Sequence, residues 1–283
     1  MLGVDDRLYI AWQTDPVLIG GIWALSVIYT LAVGPLRKRI APDEPFPVRN
    51  AILFYLGNLL FFLTEGSPLH DLAERYSLFA HMLQHNLVTY AVAPLLLAGT
   101  PVWLIRAMFV KTPIYPVARF ITRPLTAFIL FTVGYSMWHL PLIYEAGLQN
   151  SVIHHTQHVV FLAAAIVLWW PIMSQVPELP RPARLTQLVY MFLQPVFQML
   201  VYAVVTFAFD NLYPTYEMAP TWFTATQAED QQLAGAFMGL SSFIAFGIPF
   251  IVTFARWYHE ETGRTFEGHK LNRPEPEYKE AQL

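Results

Sequence analysis

The chain has 283 residues, 55% of them hydrophobic and only 13% charged, with a formal net charge of −3. A soluble domain carries about a quarter charged residues, so this composition excludes an ordinary water-soluble fold and points to lipid. Cysteine is absent, which excludes a disulfide framework, a thiolate metal site and a cysteine nucleophile. No basic cluster is interleaved with aromatics, so nucleic acid is not expected as a partner.

The N-terminal stretch, with Asp5 and Asp6 before Arg7, has no basic start and no small-residue cleavage site, so a removable signal peptide is not expected. The first apolar run is Pro16 to Leu36, ended by Arg37, Lys38 and Arg39. The second runs from Val48 to Thr64 and the third from Tyr76 to Ala98. Pro101 to Arg123 is broken by Pro and basic residues and reads as a loop with a surface-lying segment. The fourth run is Pro124 to Ile143 and the fifth Val152 to Met173. The sixth is Leu185 to Phe209, with a kink expected at Pro195, and the seventh is Gln231 to Trp257. Runs this long without alternation are helices, since lipid demands that every backbone polar group be satisfied within the segment. The expected fold class is therefore all-α, a polytopic transmembrane helical bundle of seven spans. Residues 1–259 form the membrane domain, and 260–283, polar and charged, form a flexible cytoplasmic tail.

Basic residues orient the bundle. With the N-terminus outside and the C-terminus in the cytoplasm, fifteen of the 17 Lys and Arg fall on the inner side, and only Arg7 and Arg75 lie outside. Six of the nine His then fall in the third, fourth and fifth helices: His81, His85, His139, His154, His155 and His158. At 1.5 Å per residue each lies roughly 6–15 Å from the outer end of its helix, so all share the outer leaflet. Ionisable groups there cost about 2.5–3.5 kcal/mol each when charged and are usually paired or functional.

His81 and His85 are four residues apart and share one helix face; His154 and His158 repeat that spacing. With His139 they make a candidate metal site, in a donor chemistry that suits Cu, Zn, Fe or Ni. His155, Asp230, Gln157, Met82 and Gln84 are candidates for further ligands or for residues that orient the ligands. The bland readings are specific. A membrane His can simply hydrogen-bond across helices, Asp230 can cap the seventh helix, and Gln194 and Gln198 can serve as interhelical hydrogen-bond partners. Gly235 and Gly239 have the spacing of helix packing. Trp138, Trp169, Trp170, Trp222 and Trp257 sit near span ends and read as an interfacial belt. His70 falls in a loop and carries no special expectation.

Several segments together are similar to the CtaG family of cytochrome c oxidase assembly factors, seven-span bacterial membrane proteins. They are His81-Met82-Leu83-Gln84-His85 followed by Pro94 to Pro101, then Trp138-His139-Leu140-Pro141, then His154 to His158 with Trp169-Trp170-Pro171, and last Asp230 to Gly235. The chain departs from the family pattern at Gln157, where Glu is expected, and at Gly239, where Trp is expected. The resemblance implies a non-enzymatic factor in the bacterial cytoplasmic membrane that binds copper and helps deliver it to the oxidase. Its implied partners are oxidase subunits, membrane lipid and a copper donor protein on the outer side. The alternative is a haem-binding electron-transfer protein with axial His ligands. An intramembrane metalloprotease is disfavoured by the absence of His-Glu-x-x-His, and a purely structural assembly scaffold is the fourth reading.

Overall fold

The computed structural model describes residues 10–263. All regular structure among them is helical. In chain order the helices are α1 (Pro16–Val33), α2 (Arg37–Ile40), α3 (Val48–Gly66), α4 (Pro68–Arg75), α5 (Leu78–Leu87), α6 (Ala93–Gly99), α7 (Val102–Ile105), α8 (Tyr115–Ile121), α9 (Pro124–Trp138), α10 (Pro141–Gln149), α11 (Ser151–Met173), α12 (Arg184–Phe207), α13 (Pro214–Glu217) and α14 (Gln227–Thr262). Two π-helical turns, Val88–Val92 and Arg106–Val110, join α5 to α6 and extend α7.

Four helices, α1, α11, α12 and α14, are each long and apolar enough to cross a membrane. Three further spans arise if each of three bent pairs counts as one: α3 with α4, the rod Leu78–Gly99 with Val102–Val110, and α8 with α9. Large apolar side chains such as Trp23, Ile28, Leu125, Val159, Leu200 and Ile251 point outward, as a lipid-facing surface requires. The chain is thus an all-helical, multi-pass membrane protein. Of the expected tail, α14 continues through Thr262, and residues beyond 263 lie outside those described.

The helix boundaries follow from local chemistry. Asp15 caps α1 by accepting from the N–H groups of Val17 and Leu18, with Pro16 at the first helical position. Ser67 caps α4 before Pro68, and Asn150 caps α11. Thr226 and Glu229 form a reciprocal capping box at the start of α14. That helix therefore begins earlier than the apolar run, and Asp230 lies in its first turn instead of at its cap. In the long rod, Pro94 has no N–H to offer the Tyr90 carbonyl, and the backbone widens into the π turn at Val88–Val92.

Two expectations about the middle of the chain change. Pro101 to Arg123, expected as a loop with a surface-lying segment, carries more regular structure than that. It is mostly helical, and the chain turns by 90° into Val102–Val110 and by 75° between α8 and α9. The expected fourth span breaks at His139 and Leu140. Pro141 holds Leu140 extended, at φ −67° and ψ 127°, so α9 stops and α10 starts afresh.

The largest apolar cluster centres on Phe131, Leu168, Trp169, Met191, Met238 and Phe246. Trp169 and Trp170 are buried there and donate to the carbonyls of Thr89 and Leu179, so they are core residues and not part of an interfacial belt. Helices α12 and α14 pack most extensively. Gly235 sits against the Thr206 side chain, and a Cβ on Gly239 would fall 2.9 Å from the Tyr202 ring. The small residues thus let the two helices approach closely. Gln198 accepts from Tyr90 on one side and Ser242 on the other, so it cross-links three elements.

Candidate metal centre

The site is assembled at one end of the bundle from five helices. Gly66 ends α3, and Ser67-Pro68 bends the chain by 48° into α4. The turn places Glu65 at the buried tip of α3, with His70 and Glu74 one helical turn apart on α4. His81, Gln84 and His85 come from α5, and His139 is the C-cap of α9. His154 and His158 lie on the first two turns of α11. Six imidazoles and two carboxylates thus meet.

Their contacts are specific. The His158 Nε2 lies 2.9 Å from the His154 Nε2, while its Nδ1 faces Glu65 Oε2 at 3.2 Å. The same Glu65 oxygen accepts from the Gln84 amide at 2.6 Å and lies 3.5 Å from His70 Nδ1. Glu74 reaches in two directions: Oε1 is 3.4 Å from His81 Nδ1, and Oε2 is 3.5 Å from His154 Nδ1. His139 donates its Nδ1–H to the Tyr135 carbonyl at 2.6 Å, which leaves the Nε2 lone pair for another partner. His81 and His85 are buried, and none of their four ring nitrogens has a hydrogen-bond partner among the described residues.

This geometry fits a metal ion. Donor atoms of His70, Glu74, His154 and His158 all lie within 4.8 Å of one another. Two imidazoles on one ion, with bonds of about 2.0–2.1 Å, have ring centroids roughly 4.5–6.3 Å apart depending on the angle between them. The observed separations are 4.4 Å for His154–His158, 5.3 Å for His70–His154, 5.7 Å for His70–His158 and 4.5 Å for His81–His85. The donors are nitrogen and oxygen. Glu65 is buried and Glu74 partly so, both facing imidazoles, and a bound cation would offset their charge.

The residues singled out from sequence are placed as follows. His81, His85, His139, His154 and His158 come together. Gln84 joins them through Glu65 and His70. His155 points away and contacts Asp15 at 2.9 Å, tying α11 to the start of α1. Asp230 accepts from the Ser77 hydroxyl at 2.7 Å and the Phe79 N–H at 3.1 Å, so it anchors the start of α5. Met82 is buried in the apolar cluster. Gln157 is buried with its Oε1 against Gly147, where a Cβ would stand 2.6 Å away. Three participants escaped the sequence reading: Glu65, His70 and Glu74. His70 lies in a helix, not a loop, and its spacing of four from Glu74 was the available signal.

No solved structure matches the chain. Two mycobacterial proteins are similar, "Uncharacterized protein Mb0105" of Mycobacterium bovis and "Uncharacterized protein MT0111" of Mycobacterium tuberculosis, each 25% identical over 199 residues. The match covers 63% of this chain and 29% of each relative, so the chain spans under a third of the length of the curated relatives it matches. The sequence model of the cytochrome c oxidase caa3 assembly factor family matches residues 27–260, a stretch that holds every imidazole and carboxylate of the centre. The chain belongs to the cytochrome c oxidase caa3 assembly factor family.

Proposed function

We propose that this chain binds copper in its His/Glu centre and passes it to a cytochrome c oxidase subunit during assembly of the oxidase. The observation that carries the reading is the convergence of six imidazoles and two carboxylates in a family of oxidase assembly factors. Nitrogen and oxygen donors suit Cu(II), whereas Cu(I) prefers thioether and thiolate. Delivery is ligand exchange, with neutral imidazoles holding the ion until a partner's ligands replace them.

The centre faces the outside of the bacterial cytoplasmic membrane in this reading. His155 on α11 pairs with Asp15 at the N-terminal end of α1, while Arg37, Lys38 and Arg39 lie at the other end of that helix. The basic end belongs in the cytoplasm. A copper donor and the receiving subunit would both act from the outer side, and the tail from 260 would be cytoplasmic.

An ion is favoured over haem by the packing. The His81 and His85 rings stack at 4.5 Å with their planes 24° apart, which leaves no slot for a macrocycle between them. The test is the copper-to-haem ratio of oxidase purified from cells carrying wild-type or His154→Ala/His158→Ala protein. The reading expects copper-deficient oxidase from the variant. Oxidase with its full copper complement would overturn it. An intense Soret band in the purified chain would favour haem instead.

A further inference from the structure

We propose that the centre holds two ions that share Glu74, an inference that rests on the metal-binding reading above. One ion takes about four protein ligands, and eight donor side chains converge here. They divide by position. His70, His154 and His158 form one group, with ring centroids 4.4–5.7 Å apart. His81 and His85, 4.5 Å apart, form the core of the other, and His85 lies 6.4 Å from both His139 and His158.

Glu74 stands between the groups. Its Oε1 faces His81 and its Oε2 faces His154, at 3.4 and 3.5 Å. Glu74 Oε1 and His81 Nδ1 make no hydrogen bond, although both are buried. Separations of this size are long for a hydrogen bond but ordinary for two donors on one ion. A carboxylate that offers one oxygen to each of two donor groups is placed to bridge two ions.

The alternative use of the inner histidines is a hydrogen-bonded relay behind a single ion. In a relay the imidazoles would donate to one another. Instead none of the four ring nitrogens of His81 and His85 makes a hydrogen bond among the described residues, and the one close polar approach is that of Glu74 Oε1 to His81 Nδ1. A buried polar group without a hydrogen bond is costly, and an ion held by these nitrogens removes part of that cost. The groups also differ in access. The outer side chains of His70, Glu74, His154 and His158 are 11–15% exposed, whereas the His81 side chain is 2% exposed. An ion would enter at the outer group and reach the inner one across Glu74.

The experiment loads the full chain, purified in detergent without a polyhistidine tag, with Cu(II) alone, then removes free metal by gel filtration. Copper per chain is measured by elemental analysis, and paramagnetic resonance is recorded on the same sample. The proposal expects two Cu(II) per wild-type chain, a half-field signal, and spin intensity below the copper total. His81→Ala/His85→Ala should bind one Cu(II) with full spin intensity. One ion per wild-type chain would overturn the two-ion proposal and leave the copper reading standing. No copper would overturn both. Two ions with fully isolated spectra would overturn the sharing of Glu74. The wild-type count decides the matter even if the variant does not fold.

Discussion

The His81–His85 and His154–His158 pairs have the same spacing on apolar helices and share Glu74, yet the structure gives them different surroundings. The α11 pair is partnered: His158 faces Glu65, His154 faces Glu74, and the two rings touch through their Nε2 atoms. The α5 pair is deeper and stacked, with no hydrogen bond to any ring nitrogen among the described residues. Spacing along one helix makes a pair; the neighbouring helices decide whether both rings meet a carboxylate, as on α11, or only one, as His81 does on α5.

Substitutions should separate the two pairs. The largest effect is expected from His158→Ala, which removes a donor and frees Glu65 from its main imidazole partner. Copper affinity should fall by at least about 100-fold in an equilibrium competition with a chelator, more than changes beyond the ligands usually cost. An affinity within a few-fold of wild type would make the outer pair a structural feature only.

Glu65→Gln keeps the shape but removes the charge that orients His158 and receives the Gln84 amide. A loss of about 10–100-fold in copper affinity is expected, the size typical for residues that orient a metal ligand. Because Glu65 serves the outer pair, this variant should spare the inner group. Equal losses at both would blur the division drawn here.

How much of this was legible in the sequence depends on which residues are asked about. The i, i+4 pairs and a common depth already pointed to His81, His85, His139, His154 and His158. The carboxylates were not legible because Glu65 ends one helix and Glu74 follows the 48° bend at Ser67-Pro68, and a linear depth count has no such bend. The break at Pro141 likewise makes His139 a helix cap with a free Nε2, where an unbroken span was expected. Among the apolar runs, local signals served well: Asp15, Asn150 and the Thr226–Glu229 box each start a helix. The burial of Trp169 and Trp170 was not visible, because it depends on residues outside α11, namely Thr89, Phe246 and Leu179, closing over it.

Asp230→Ala should act on stability before binding. It strips the Ser77 hydroxyl and the Phe79 N–H of their shared acceptor at the start of the helix that carries the inner pair. A loss of about 1–3 kcal/mol is expected, read as a lower unfolding midpoint in detergent, with copper stoichiometry retained in the folded fraction. An unchanged midpoint would mean that α5 is held in place without this anchor.

The smallest effect belongs to His155→Ala. It neighbours His154 but contacts Asp15, and both side chains are partly exposed. Its removal should cost no more than about 1 kcal/mol and leave copper binding intact. A large loss of copper would move His155 into the centre and redraw the α11 pair.

The central claim, that imidazole and carboxylate groups of these helices hold the copper, is tested most directly by X-ray absorption on the Cu(II)-loaded chain. The account predicts a first shell of nitrogen and oxygen only, with the multiple-scattering pattern of several imidazoles that weakens in His154→Ala/His158→Ala. A sulfur shell, or a spectrum unchanged by that substitution, would contradict it.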